Sequence, residues 1–296
     1  MWRLGERDAA RYNQDVASAI ERLKGTGRVL ETIDPERLPP VGNPLNSSVT
    51  MAIVPGAFAK EYPQHDARGQ RFVDAAQALG FNVDVVDVPS FCSAKVGGDC
   101  IANWLKHTNK RNVVLISLSK GSADTASFFS NPDYRPLHHH VRAWVSIGGL
   151  LCGSPIINAI DARPLWRLFI SSLLRMKGYR YADLASLRWD SVRQPEWNSY
   201  GTLSIPVIHV QSVPRYEHLS SPLAIRAVKR ALPYGVSDGG GVLLSDLSRY
   251  DGSFVLVEKR DHYFRDVPMQ PLLRRMVYWI DRVSERRHEV ATPALD

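Results

Sequence analysis

The chain has 296 residues, 44% apolar and 23% charged, and 37 Lys and Arg against 30 Asp and Glu give it a net charge of +7. That length and composition exclude a disordered chain or a small disulfide scaffold, and they admit one large α/β domain or two small ones. The basic residues are scattered, and their densest clusters, residues 106–111 and Arg286-Arg287, are short; a solvated face explains them better than a nucleic-acid groove.

The N-terminal stretch MWRLGERDAARYNQ has no apolar core of a signal peptide, so a cytoplasmic location is expected. The three cysteines, Cys92, Cys100 and Cys152, fit reduced thiols in such a compartment, with a Cys92–Cys100 bridge conceivable. Residues 6–24 have helical spacing, with Ala9, Ala10, Val16, Ala17, Ile20 and Leu23 on one side. Residues 35–46 are Pro-rich and loop-like, so residues 1–46 are expected to form a helical and loop extension.

A strand and helix rhythm then begins. Strands are expected at 49–54 (VTMAIV), 83–88, 113–117, 143–147, 207–213 and 254–258. Helices are expected at 69–79, 99–107, 121–129, 223–232 and 269–283. This alternation predicts an α/β core over 47–155 and 201–288, with a mostly parallel sheet covered by helices on both faces. The longest uncharged stretch, 143–160, holds three glycines and a proline, so it reads as strand and loop rather than a transmembrane segment.

Residues 156–200 break the rhythm. They hold two helix-like stretches, PLWRLFISSLLRMKG and YADLASLRW, and the aromatics Trp166, Phe169, Tyr179, Tyr181, Trp189 and Trp197. An excursion of that length is expected to be a helical cap over a cleft, with Trp166 and Phe169, together with Phe58, as substrate-binding side chains. Residues 289–296 read as a tail.

The stretch VVLISLSKGSAD (113–124) puts Ser119 at the tip of a strand, with Ser117 two before it and Gly121 two after. A serine hydroxyl is a poor nucleophile until a base takes its proton. One solution is a tight strand-to-helix turn flanked by small residues, commonly G-x-S-x-G. Here Ser117 stands for the first glycine, as a small residue that fits the turn.

A base and an acid must complete such a site. His262 in EKRDHYF follows the last strand and suits the base. His218 is its rival, His209 lies inside a strand, and His138–His140 lie in a polar loop with no accompanying metal-ligand pattern. Asp238 in SDGGGVLLSD is the first choice for the acid, with Glu217 as runner-up, Asp246 and Asp251 weaker, and Asp261 too close to the histidine in sequence. An oxyanion hole needs two backbone N–H groups. Lys120, next after the serine, supplies one, through its N–H rather than its charge. Ala57 supplies the other, with Phe58 as the alternative, from the loop Pro55-Gly56-Ala57-Phe58.

With Ser119, Asp238 and His262 in that chain order, residues 49–283 resemble the α/β-hydrolase superfamily, and in particular its lipase- and esterase-like serine hydrolases. SDGGGV resembles the Asn-Asp-Gly turn that carries the acid in bacterial lipases. Pro55-Gly56-Ala57 resembles their His-Gly-x oxyanion loop, with proline for histidine. IGGLLCGSP resembles the Gly-rich segment after the sixth strand in lipase-like members.

The resemblance implies hydrolysis of a small-molecule carboxylic ester, with no cofactor or metal and no nucleic-acid partner. Two alternatives keep the fold: a thioesterase or acyltransferase using the same triad, and a non-catalytic binding protein. The oligomeric state has no signature in the sequence.

Overall fold

The computed structural model describes residues 4–38, 49–190 and 203–291. Among them seven strands form one sheet: β1 (Val29–Ile33), β2 (Thr50–Val54), β3 (Asn82–Val85), β4 (Val113–Leu118), β5 (Val141–Ile147), β6 (Val207–Val213) and β7 (Ser253–Glu258). Their order is β1-β7-β6-β5-β4-β2-β3, and every neighbouring pair is parallel. The helices are α1 (Glu6–Lys24), α2 (Gln70–Ala78), α3 (Ala94–His107), α4 (Lys120–Ser130), α5 (Pro155–Asp161), α6 (Pro164–Met176), α7 (Tyr181–Ala185), α8 (Pro222–Ala231) and α9 (Met269–Ala291).

The central strands are apolar on both faces because both faces are covered. In β4, Val113 and Leu115 point into a core shared with α1, α3, α4 and α8. Val114, Ile116 and Leu118 point the other way, into a core shared with α2 and α9. The period of two along each strand thus splits the apolar residues between two layers. β4 lies between β5 and β2, well inside the sheet, so whatever follows its C-terminal end sits over the middle of the molecule.

Several elements differ from expectation. Residues 1–46 include an edge strand, since β1 pairs with β7. Its sequence VLETI is short and only partly buried, so it lacks the apolar run of a central strand. The buried face of α1 is Tyr12, Val16, Ala19 and Leu23, while Ala10 and Ala17 face outward. Tyr12 belongs to the core because its hydroxyl finds a buried acceptor, donating to the Ser237 carbonyl at 2.6 Å. β3 ends at Val85 rather than 88, and α9 runs on past 283 to Ala291.

α3 begins at Ala94, not 99, with the Ser93 hydroxyl accepting from the Val96 amide. Gly97 and Gly98 hide its first turns because glycine is a poor helix former. Their reason is packing: a Cβ on Gly98 would lie 2.9 Å from the Phe128 backbone of α4. Three helices, α5 to α7, follow β5, and α7 ends at Ala185 rather than continuing to Trp189. Residues 39–46 of the Pro-rich loop, 191–200 of the expected cap with Trp197, and 292–296 of the tail lie outside the described residues. None of the helices among the described residues is long and apolar enough to cross a membrane.

Candidate active site

Ser119 stands between the last residue of β4 and the first of α4, with φ 50° and ψ −114°. A non-glycine residue with positive φ is strained, and such strain persists only where the surroundings hold it. Here the Ser119 amide donates to the Ile147 carbonyl at 2.9 Å. Gly121 is needed because a Cβ there would lie 2.5 Å from the carbonyl oxygens of Val54 and Pro55.

Ser117 does more than fit. Its hydroxyl accepts from Trp144 Nε1 at 2.8 Å and lies 2.9 Å from the Ser122 hydroxyl, which in turn accepts from Ser146 Oγ at 2.9 Å. These groups are buried, so this chain of hydroxyls ties β4, α4 and β5 together under the elbow.

The Ser119 hydroxyl is 2.9 Å from His262 Nε2, and His262 Nδ1 is 2.7 Å from Asp238 Oδ2. A carboxylate only accepts, so Nδ1 carries the proton and Nε2 is left to accept from the serine. Burial by itself pushes the imidazole down. The charge and hydrogen bond of Asp238, with Asp261 further off, outweigh it and hold the imidazole above its ordinary value.

Asp238 is fully buried, and four donors hold it. The Gly240 and Val242 amides donate to Oδ1 at 2.9 and 3.1 Å, while Gln211 Nε2 donates to Oδ2 at 2.9 Å beside the histidine. The His262 amide also donates to the Asp238 carbonyl at 2.8 Å. Glycines approach the imidazole from two loops. A Cβ on Gly148 would lie 3.1 Å from Nδ1, and one on Gly240 would overlap Cγ.

The other candidate acids and histidines make no side-chain hydrogen bond to Ser119 or His262 among the described residues. Glu217 is exposed and accepts from Asn13 Nδ2 at 3.0 Å. Asp246 accepts from Trp189 Nε1 and Arg249, and Asp261 accepts from the Ser220 and Tyr263 amides. His218 lies in the turn Tyr216–His218. His209 is buried, donating from Nε2 to the Asp251 carbonyl. His138 is less solvated than its polar loop implied, since its ring packs on Phe128 and Phe129.

The Phe58 amide is taken, donating to the Ser90 carbonyl at 2.6 Å. The Ala57 amide has no hydrogen bond among the described residues, and Ala57 lines the same cleft as Ser119. Lys120 opens α4, where backbone N–H groups have no partner within the helix.

The Lys120 side chain departs from its expected irrelevance. Its ammonium is buried 2.7 Å from Asp124 Oδ1 and 3.1 Å from Cys92 Sγ. Burial acts on it downward, but Asp124 and Cys92 outweigh burial and hold the ammonium charged. Burial pushes the Asp124 carboxyl up to about 7 even against the pull of Lys120. Gly97 of α3 makes room for that carboxylate, which a Cβ there would overlap. All three cysteines are free, and Cys92 packs on Lys120 rather than bridging Cys100.

Ser119 and His262 open onto a cleft of about 480 Å³. Phe58 lines it, stacked on Phe91 with ring centres 4.4 Å apart. Ile156, Ile157 and Ile160 of α5 also line it, with Leu184 and Leu187, and Ile157, Leu184 and Leu187 share a packed cluster with Phe58 and Phe91. His65, Asp66 and Tyr263 make one end of the cleft more polar. Trp166 and Phe169 do not line it. They sit on α6, 46% and 59% exposed, packed edge to face against each other. Their apolar character reads like a substrate wall in sequence, but α6 turns that side outward.

No protein-family model and no curated protein matches the chain. Solved structures do match in fold. A metagenomic carboxyl esterase aligns at 17% identity over 82% of this chain and 80% of its own, with a TM-score of 0.57. The mature form of a lipase from Bacillus licheniformis aligns at 17% identity over 81% of this chain and 94% of its own, with a TM-score of 0.55. A phospholipase from Legionella pneumophila aligns at 9% identity over 84% of this chain and 66% of its own, with a TM-score of 0.52. The chain therefore has the α/β-hydrolase fold, and these neighbours are hydrolases.

Proposed function

We propose that this α/β-hydrolase-fold chain hydrolyses carboxylic esters through an acyl-enzyme on Ser119. The observation that carries the reading is the unbroken relay from Ser119 Oγ through His262 to Asp238, at 2.9 and 2.7 Å, opening onto an apolar cleft. His262 Nε2 takes the hydroxyl proton as Ser119 attacks the ester carbonyl. The imidazolium that forms is stabilised by Asp238, and it then returns the proton to the departing alcohol oxygen. Water, deprotonated by the same nitrogen, cleaves the acyl-enzyme and regenerates the serine.

The negative charge that develops on the carbonyl oxygen is met by the amides of Ala57 and Lys120, each of the kind whose loss costs about 3 kcal/mol of transition-state stabilisation. Ala57 takes this role rather than Phe58 because the Phe58 amide is already bonded. The isoleucines of α5 and the leucines at 184 and 187 favour an apolar acyl or alcohol group. Residues 156–190, the described part of the cap expected over 156–200, supply this wall. The esterase and lipase among the fold neighbours agree with this chemistry.

The test is labelling by a fluorophosphonate probe together with turnover of p-nitrophenyl esters of graded chain length. We expect the wild type to label and turn over, and Ser119→Ala to do neither. Equal labelling of both proteins removes Ser119 as the nucleophile. Binding of ester without consumption favours a ligand-binding protein instead.

A further inference from the structure

Helix α6 is unusual in what it leaves in water. Leu165, Phe169, Leu173 and Met176 recur at helical spacing down one side and are 82%, 59%, 37% and 84% exposed. Leu168 adds a further 66% exposed side chain beside them, while only Leu174 of the helix is buried. Scattered exposed apolar residues are ordinary, but a continuous stripe marks a surface that is covered when the protein works.

The charged residues of the two helices beside the stripe have one sign. Neither α6 nor α8 contains an acidic residue. Arg163 precedes α6 and Lys177 follows it, while Arg226 and Arg230 stand on α8. The Arg230 guanidinium lies over the Trp166 ring, 5.8 Å from its centre. Burial and the nearby charges of Arg163 and Arg226 make Arg230 less basic than usual. The acids at hand are engaged: Asp161 by Arg188, Tyr181 and Arg167 of α6, Asp183 by Arg180, and Glu61, which also feels the charge of Lys177, by Ser90 and Tyr179.

An apolar stripe framed by cations complements an anionic lipid surface, with apolar side chains among the acyl chains and guanidinium groups at the headgroups. The helix that carries the stripe packs on a wall of the cleft. α5, which packs on α6, lines the cleft with Ile156 and Ile160, and Leu223 at the start of α8 lines it while remaining 42% exposed.

We propose that α6 and the adjoining face of α8 dock on an anionic lipid surface and so present the cleft to esters carried in that surface. The choice of substrate rests on the ester-hydrolase reading; the docking does not.

Co-sedimentation with vesicles tests it, using phosphatidylcholine alone and phosphatidylcholine with about one third phosphatidylglycerol. The wild type is expected to pellet with the anionic vesicles and to stay in solution with the neutral ones. Leu165→Ser with Met176→Ser should lower the partition about tenfold, and Arg163→Gln with Lys177→Gln should lower it similarly. Turnover of a soluble short-chain ester by these variants should match the wild type.

Failure of the wild type to bind either vesicle overturns the proposal. So does unchanged binding by the Leu165 and Met176 variant. A wild-type dimer in solution that this variant splits also overturns it, since a second copy then covers the stripe. Should the wild type bind vesicles but hydrolyse no ester, the docking stands and the ester reading falls, with circular dichroism confirming that the variants are folded.

Discussion

Lys120 and Asp124, one helical turn apart, form an ion pair of 2.7 Å with side chains 2% and 0% exposed, immediately behind the strained Ser119. Two charges taken out of water are costly unless each satisfies the other. Lys120→Met keeps the backbone N–H but leaves the buried Asp124 carboxyl protonated and without its partner, and we expect it to lower unfolding stability by about 1–3 kcal/mol. Lys120→Met combined with Asp124→Leu should recover much of that loss. Denaturant titration of both variants checks it; an unaltered Lys120→Met midpoint would show that the pair holds nothing.

The acid is the second test. Asp238→Asn should lower kcat by about 10⁴-fold, because an amide that donates toward Nδ1 favours the wrong tautomer of His262. Glu217→Gln should leave kcat within a factor of a few, since Glu217 faces Asn13 rather than the histidine. A large loss for Glu217→Gln would reassign the acid.

The pH profile follows from the same pair. His262 must be neutral to accept the serine proton, and it is held above its ordinary value of 6.5. Protonation therefore removes activity as pH falls through a midpoint above 6.5, and activity is fully present on the alkaline side of that midpoint. In Asp238→Asn the larger raising influence is gone, while burial and the smaller effect of Asp261 remain, so the midpoint of the residual activity should move down. The rate profile of kcat/KM for the two proteins gives both midpoints; a downward-shifted midpoint in the wild type contradicts the assignment.

Gly240 should be intolerant of even one methyl group. A Cβ there overlaps the His262 ring, so Gly240→Ala must displace the imidazole. A displacement of about 1 Å in a catalytic group costs about 10²-fold. We expect kcat to fall by that order with stability changed much less, as read from turnover beside thermal unfolding.

Ser117→Gly restores the commoner elbow sequence, yet here it should harm the protein. It removes the hydroxyl that accepts from Trp144 Nε1 and joins Ser122, breaking a buried hydrogen-bond network at a cost of about 1–3 kcal/mol in stability. The effect on kcat should be small, because Ser119 and His262 keep their contact. A stabilised Ser117→Gly protein would mean that the hydroxyl network contributes nothing.

Much of the fold is legible in the sequence because its signals are local. Apolar runs such as VVLISL and TMAIV announce strands buried on both faces, and the helices between them imply parallel pairing. The edge strand VLETI announces nothing, since five mostly half-buried residues with neither an apolar run nor a period of two look like loop until β7 lies beside them.

The same division runs through the site. Ser119, Asp238 and His262 can be picked out because an elbow and a Gly-rich turn are properties of a few neighbouring residues, and because their order along the chain is readable. Gln211, Gly148 and Gly240 have no such signature: each matters only through a side chain far away in sequence. In the sequence Lys120 offers only a backbone donor, because nothing local reveals Asp124 and Cys92 as partners of its ammonium under the elbow. Trp166 and Phe169 carry an apolar pattern that fits a cleft wall or an outward stripe equally well. Periodicity tells which residues share a helix face, and only packing decides whether that face turns toward a cavity or toward solvent.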